Sequence, residues 1–314
     1  MFDLFTRVLD FAFPVIITIF IGLFGTGVLI EMGLMQKLSR FTEPIFKHTH
    51  LPQACASAFM VSLGSTVAAN SMVMKVKDEG FIDDREMMLC AILNSTPAYI
   101  REILTYQIPI VLPALGPIVG GFYVMVFIIS AVVKVSVVII LSRIWFKEHN
   151  GALIEPETIE RPKLKEAIRK AFNRQKRLFT KIAIIYLTMT TLVFALRERG
   201  AFETFNVLPL ADIFGIPAES IIPLTTYMAS PIIGISLLGP LISDGGITYL
   251  QAMIVLMLGS MFMLPILSIR SILPRYVSIF GPKVGFRIVA FSTGMSMAIR
   301  FIILIILLSI AKMQ

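Results

Sequence analysis

The chain has little of what builds a soluble catalytic or metal centre. Among 314 residues there are two cysteines, three histidines and one tryptophan, and only 15% of the residues are charged. Two isolated thiols, Cys55 and Cys90, are too few for a disulfide framework or a zinc site, and they are expected to act as small buried apolar residues. In His48-Thr49-His50 the imidazoles are not at i, i+4 spacing and no third ligand is near in sequence, so an interfacial loop is the expected role. No P-loop appears, which excludes transport powered by ATP hydrolysis on this chain. No Ser–His, paired-Asp or His-Glu-x-x-His pattern appears either, so the chain is not expected to be an enzyme.

What fills the sequence instead is apolar surface. Hydrophobic residues make up 56% of the chain and the mean hydropathy is +0.85. No soluble domain of this size buries so much, and the composition implies a multi-pass integral protein of the cell membrane. The first apolar run, residues 8–32, is too long for a signal peptide and lacks its small-residue cleavage site, so it is expected to stay as a transmembrane helix. The net charge of +8 is concentrated in loops. It reports orientation in the bilayer before any affinity for nucleic acid, which is not an expected partner.

The chain repeats itself. Pro52 aligns with Pro217, Ser65 with Ser230, Ser95 with Ser260, and Pro109 with Pro274, all at one separation of 165 residues. The match closes on Gly116-Pro117 against Gly281-Pro282. Prolines and glycines fix backbone shape, so their recurrence implies a repeated structure. Lys and Arg then reverse between the copies. Residues 35–50 carry Lys37, Arg40 and Lys47, whereas their counterparts at 200–217 carry none. Residues 105–122 carry none, whereas residues 270–287 carry Arg270, Arg275, Lys283 and Arg287. By the positive-inside rule the same part of each copy lies on opposite sides of the membrane.

The expected fold is therefore an all-α integral membrane protein of two inverted-topology repeats. Each repeat holds transmembrane helices, a re-entrant helical hairpin and a Pro-broken helix. The expected boundaries are repeat one at 1–146, a basic cytoplasmic connector with a surface-lying helix at 147–181, and repeat two at 182–314. In repeat one the hairpin turns at Gly64-Ser65-Thr66, an interfacial stretch precedes it at 35–48, and the broken helix is interrupted by Pro97. In repeat two an interfacial piece is expected at 202–214 and a second broken span at 247–280, interrupted by Pro265 and Pro274.

Breaks at membrane depth free backbone N–H and C=O groups and helix ends, which must face protein or a cavity. The candidate solute-binding residues are therefore Ser65, Thr66, Asn70, Asn94, Ser95, Thr96 and Arg101, completed from the second copy by Ser230, Ser236 and Ser260. Ionic groups inside the apolar thickness are costly and mark function or pairing. That assigns a charge or coupling-ion role to Glu102, Lys134 and Arg300. No cofactor is expected beyond a coupling Na⁺ or H⁺.

At Gly64-Ser65-Thr66-Val67 and Asn94-Ser95-Thr96-Pro97…Arg101 the chain resembles the Gate, or nucleoside-recognition, family of membrane domains. That family includes the gate halves of ferrous-iron transport protein B and spore-maturation membrane proteins. Concentrative nucleoside transporters carry a related hairpin and broken helix. The resemblance implies a secondary-type transporter that moves a small polar or anionic solute, nucleoside-like included, by alternating access. It also implies two alternatives: a non-transporting membrane subunit acting through protein partners, and a ferrous or divalent-metal permease. In the iron transporter the position of Ser65 is a cysteine, and its replacement here removes the soft ligand best suited to Fe²⁺. The expected partners are the solute, the bilayer and a second copy of the chain in a homo-oligomer.

Overall fold

A computed structural model describes residues 2–32, 42–147, 164–198 and 214–313. All described elements are helical. The first copy comprises α1 (Phe2–Glu31), α2 (Thr42–Lys47), α3 (Gln53–Gly64), α4 (Thr66–Asp78), α5 (Asp84–Leu93), α6 (Thr96–Glu102), a π-helical segment (Ile103–Val111) and α7 (Leu112–Trp145). The second comprises α8 (Leu164–Glu198), a short 3₁₀ turn (Ala218–Ser220), α9 (Ile221–Ala229), α10 (Pro231–Ser243), α11 (Tyr249–Leu267), a second π-helical segment (Ser268–Ile272) and α12 (Leu273–Met313).

The separation of 165 residues seen in the sequence is reproduced in the backbone. α4 and α10 match end for end, and the two π-helical segments start at equivalent residues. Ser65 ends α3 in extended conformation at φ −150° and ψ 111°, and Ser230 ends α9 at φ −152° and ψ 106°. Asp83 and Glu86 form a capping box on α5, and the equivalent Thr248 and Gln251 form one on α11. Gly116 and Gly281 share a positive φ of 79° and 78°, a region that side chains other than hydrogen rarely tolerate.

That glycine turns the chain back on itself. A Cβ placed on Gly120 would lie 2.7 Å from the Cα of Leu112, and one on Gly285 would lie 2.8 Å from the Tyr276 carbonyl. Residues eight or nine apart in a straight helix cannot meet, since each residue advances ~1.5 Å. α7 therefore returns along α5 and α6, and α12 returns along α11. Among the described residues, three helical stretches are long and apolar enough to cross a membrane: Thr6–Glu31, Asp84–Trp145 and Tyr249–Met313. The last two have 62 and 65 residues, several times the ~20 that one crossing needs, and the reversals at Gly116 and Gly281 use the surplus.

α1 and α8 pack side by side and antiparallel. Phe24 meets Phe172 and Phe179, and Phe11, earlier in α1, meets Tyr186 and Phe194, later in α8. Gly27 admits Ala171 and Gln175, and Arg174 bridges to Glu31. The expected connector at 147–181 is described from residue 164 onward, where its residues form the first half of α8 and pack on α1. Small residues cause this: Ala167 and Ala171 are fully buried, whereas Leu164, Ile168 and Phe172 are at least half exposed. The expected interfacial stretch at 35–48 is described only from residue 42, as α2, and the piece at 202–214 lies outside the described residues except for Phe214.

Two expectations change. Cys55 and Cys90 are joined in a disulfide with Cα atoms 5.5 Å apart. The spacing of 35 residues did not announce the pair, because packing of α3 against α5 creates it. The second span is also not broken where the first one is. α11 runs through Pro265 without interruption, and at the place of Pro97 stands Phe262, which keeps its N–H.

Candidate functional site

Below the break of the first span lies a cavity of about 290 Å³, at the small end of ligand pockets. Its walls come from α4, α5, α6, α7, α11, the second π-helical segment and α12. Thr66, Asn70, Ser95, Arg101, Glu102, Lys134 and Arg300 of the sequence-predicted set all line it. Asn94, Thr96 and Ser260 stand behind that lining. The Asn94 amide donates to Asn70 Oδ1 at 3.2 Å, which ties the break to α4. The hydroxyls of Thr66 and Thr96 and the Asn94 carbonyl oxygen are buried without a protein partner. These are oxygens of the hard, neutral kind that a Na⁺ ion accepts.

Ser65, Ser230 and Ser236 do not line the cavity. The Ser65 hydroxyl accepts from the Ala68 amide as an N-cap, so its oxygen serves α4. Ser236 donates to the Ile232 carbonyl of its own helix. The α9–α10 pair is held away by close packing: a Cβ on Gly239 would sit 2.3 Å from the Ala114 carbonyl of α7. α4 thus faces the cavity, whereas α10, 165 residues on, is buried in the core.

Lys134 and Arg300 are both 2% exposed. Lys134 donates to Ser292 Oγ at 2.8 Å, Ser95 Oγ at 3.1 Å and the Tyr99 hydroxyl at 3.3 Å, and it lies over the Tyr99 ring. Tyr99 in turn bonds Ser296 Oγ at 2.8 Å, and Ser296 donates to the Ser292 carbonyl. This sets the direction of the chain: ammonium to tyrosine, tyrosine to serine, serine to backbone. Arg300 donates from Nε to Ser260 Oγ and from Nη1 to the Ser296 carbonyl, both at 3.2 Å, and lies over the Phe127 ring. Among the described residues, neither cation has a carboxylate within 4.0 Å. Glu102 is exposed and lies within the electrostatic reach of Arg300 and Arg101. Arg101 donates to the Gly64 carbonyl at 3.2 Å, so it clips the turn between α3 and α4 to α6. Arg275, exposed, completes a lining with four cations and one carboxylate.

The sequence reading missed Ser292 and Ser296. They precede Arg300 by eight and four residues, and such an i, i+4, i+8 polar line in an otherwise apolar helix was a readable signal. Ser268, Thr293 and Tyr276 were missed too, and only the fold brings them to the cavity. Among the described residues no group of three or more His, Cys, Asp or Glu could hold a metal ion. The ring nitrogens of His48 and His50 each bond a backbone carbonyl, of Pro44 and Phe146.

Similar proteins span nearly the whole chain. The uncharacterized protein MJ0880 of Methanocaldococcus jannaschii is 22% identical over 96% of this chain and 99% of its own length. From the same organism, the uncharacterized protein MJ0871 is 25% identical over 92% of this chain and 90% of its own. A third, MJ1556, is 25% identical over 96% and 95%. No solved structure matches. Residues 12–139, which hold α3 to α6 and Lys134, match the family described as Gate, nucleoside recognition.

Proposed function

We propose that this chain is a secondary-type transporter that moves a small polar or anionic solute by alternating access through the Lys134–Arg300 cavity. One observation carries the reading. Two buried cations line one cavity and have no carboxylate partner within ion-pair distance among the described residues. Charge without an ion-pair partner inside an apolar layer is expensive, and a solute that brings the counter-charge offsets that cost only while bound.

The repeat supports the mechanism. Two inverted halves, 1–146 and 182–314, flanking a basic cytoplasmic connector at 147–181, are a common transporter design in which one half rocks against the other. Antiparallel packing of α1 on α8 and the reversed Lys and Arg counts both support inversion. In this reading α3–α4 and α9–α10 are re-entrant hairpins. α3–α4 enters from the cytoplasmic side, where Lys75, Lys77 and Arg85 sit at its base. Its tip, clipped by Arg101, closes the cavity on that side. Glu102 is the coupling group: an anionic solute beside it raises its affinity for a proton, so both enter together.

The test is uptake of a panel of labelled anions into proteoliposomes, with Ser292→Cys as a probe of route. A solute must enter saturably, and a thiol reagent placed on Ser292→Cys must block entry unless solute is present. No saturable flux above empty liposomes across the panel, or flux indifferent to modification of Ser292→Cys, sinks the proposal.

A further inference from the structure

We propose that the solute is a small amphipathic organic monoanion, a carboxylate with an apolar body, and that of the two buried cations Arg300, not Lys134, grips its head group. This rests on the solute-site reading above and goes beyond it in naming the substrate class and dividing the labour of the two cations.

The division follows from counting donors. An ammonium has three N–H groups and a guanidinium has five. All three of Lys134 are spent, on Ser95, Tyr99 and Ser292. Arg300 spends two, on Ser260 and the Ser296 carbonyl. The second N–H of Nη1 and both of Nη2 remain. Three free donors in a planar fork suit the two oxygens of a carboxylate. Lys134 instead holds the hydroxyl wall in place and adds its field.

The body of the solute is read from the remaining walls. α11 contributes Met263, Leu264 and Leu267, and α12 contributes Ile288 and Val289 beside the serines. No hydrogen-bonding side chain comes from α11 here. A compact, strongly hydrated ion such as phosphate or sulfate would lose its water against these residues and regain little. A short aliphatic or aromatic acid covers them and places its carboxylate on Arg300. The small volume of about 290 Å³ sets the same limit on size.

The experiment measures binding to the purified full chain by thermal shift, independent of flux. The probes are benzoate and hexanoate, their neutral amides, and inorganic phosphate. Both carboxylates should raise the unfolding midpoint saturably, with apparent affinities at least tenfold above those of the amides and of phosphate. Arg300→Gln should abolish the shift, and Arg300→Lys should weaken it at least tenfold because the charge stays but the fork is lost. Leu267→Asn, at a cavity-facing position that is already 42% exposed, should weaken the carboxylates and spare phosphate, and it keeps the test decisive if the Arg300 variants do not fold. Amides that bind as well as acids, tighter binding of phosphate than of the acids, or an unchanged shift in Arg300→Gln or Leu267→Asn would each overturn the proposal. Carboxylate binding without flux keeps this inference and removes the transport reading, and saturable flux of a neutral solute does the reverse.

Discussion

Lys134→Met separates a functional cation from a structural one. Methionine keeps the length of the side chain and removes the charge and three hydrogen bonds. Each bond to a charged group contributes roughly 1.5–3 kcal/mol. Against that loss stands the desolvation of an ammonium with no ion-pair partner, several kcal/mol. No donor is orphaned by the change, because Ser95 still donates to the Ile92 carbonyl and Tyr99 still bonds Ser296. The two terms nearly cancel, so stability should stay within about 2 kcal/mol, or about 4 °C in midpoint for a chain of this size. Solute affinity should not be spared. Tyr99 and Ser296 link Lys134 to Arg300, and an anion on Arg300 is taken as roughly 8 Å from the ammonium for the Coulomb estimate. At an effective dielectric of about 20 the attraction is about 2 kcal/mol, or about thirtyfold in affinity. The assay pairs a thermal melt in detergent with the concentration dependence of initial uptake. A midpoint lower by about 10 °C or more, with wild-type half-saturation in the protein that remains folded, would show that Lys134 only pins the scaffold.

Three further outcomes follow from the geometry. Gly285→Val should cost about 1–3 kcal/mol or prevent folding, because its Cβ would meet the Tyr276 and Val277 backbone at 2.8 Å; Gly294→Val, with open space around it, is the tolerated control in a size-exclusion and melting comparison, and equal behaviour of the two refutes the tight reversal at Gly281. Tyr123→Phe breaks the hydrogen bond that joins α7 to α9 and leaves the buried Tyr227 hydroxyl without that partner, at about 1–3 kcal/mol; adding Tyr227→Phe should recover part of the loss, and a strictly additive double variant contradicts the pairing. Glu102→Gln should retain solute binding but lose the stimulation of uptake by an inward proton gradient, and stimulation unchanged from wild type rules out Glu102 as the coupling group.

The helical, membrane-spanning character of the chain was legible in its composition, and residues that match at a separation of 165 marked positions with a local backbone requirement. Gly116 and Gly281 could be read from the sequence because each stands before a proline at the matching position. The break at Asn94-Ser95-Thr96-Pro97 was legible for a similar reason, since proline removes a ladder donor wherever it stands. Lys134 and Arg300 stood out as charges in apolar helices. What stayed hidden depends on packing between elements. Alignment makes Ser65 and Ser230 equivalent, yet it cannot show that α4 faces a cavity while α10 packs against the Ala114 carbonyl. Cys55 and Cys90 are paired by the contact of α3 with α5, about which a spacing of 35 residues says nothing. The Ser292–Ser296–Arg300 line could have been found by reading the last helix at helical spacing.

The central claim is that the Arg300 cavity binds an anionic solute and carries it across the membrane. The most direct measurement is initial uptake of a labelled short carboxylate into proteoliposomes that hold wild-type, Arg300→Lys or Arg300→Gln protein at equal folded amounts. Saturable uptake by wild type, at least tenfold weaker with Arg300→Lys and indistinguishable from empty liposomes with Arg300→Gln, is the predicted result. Equal uptake by the wild-type and Arg300→Gln proteins would contradict it.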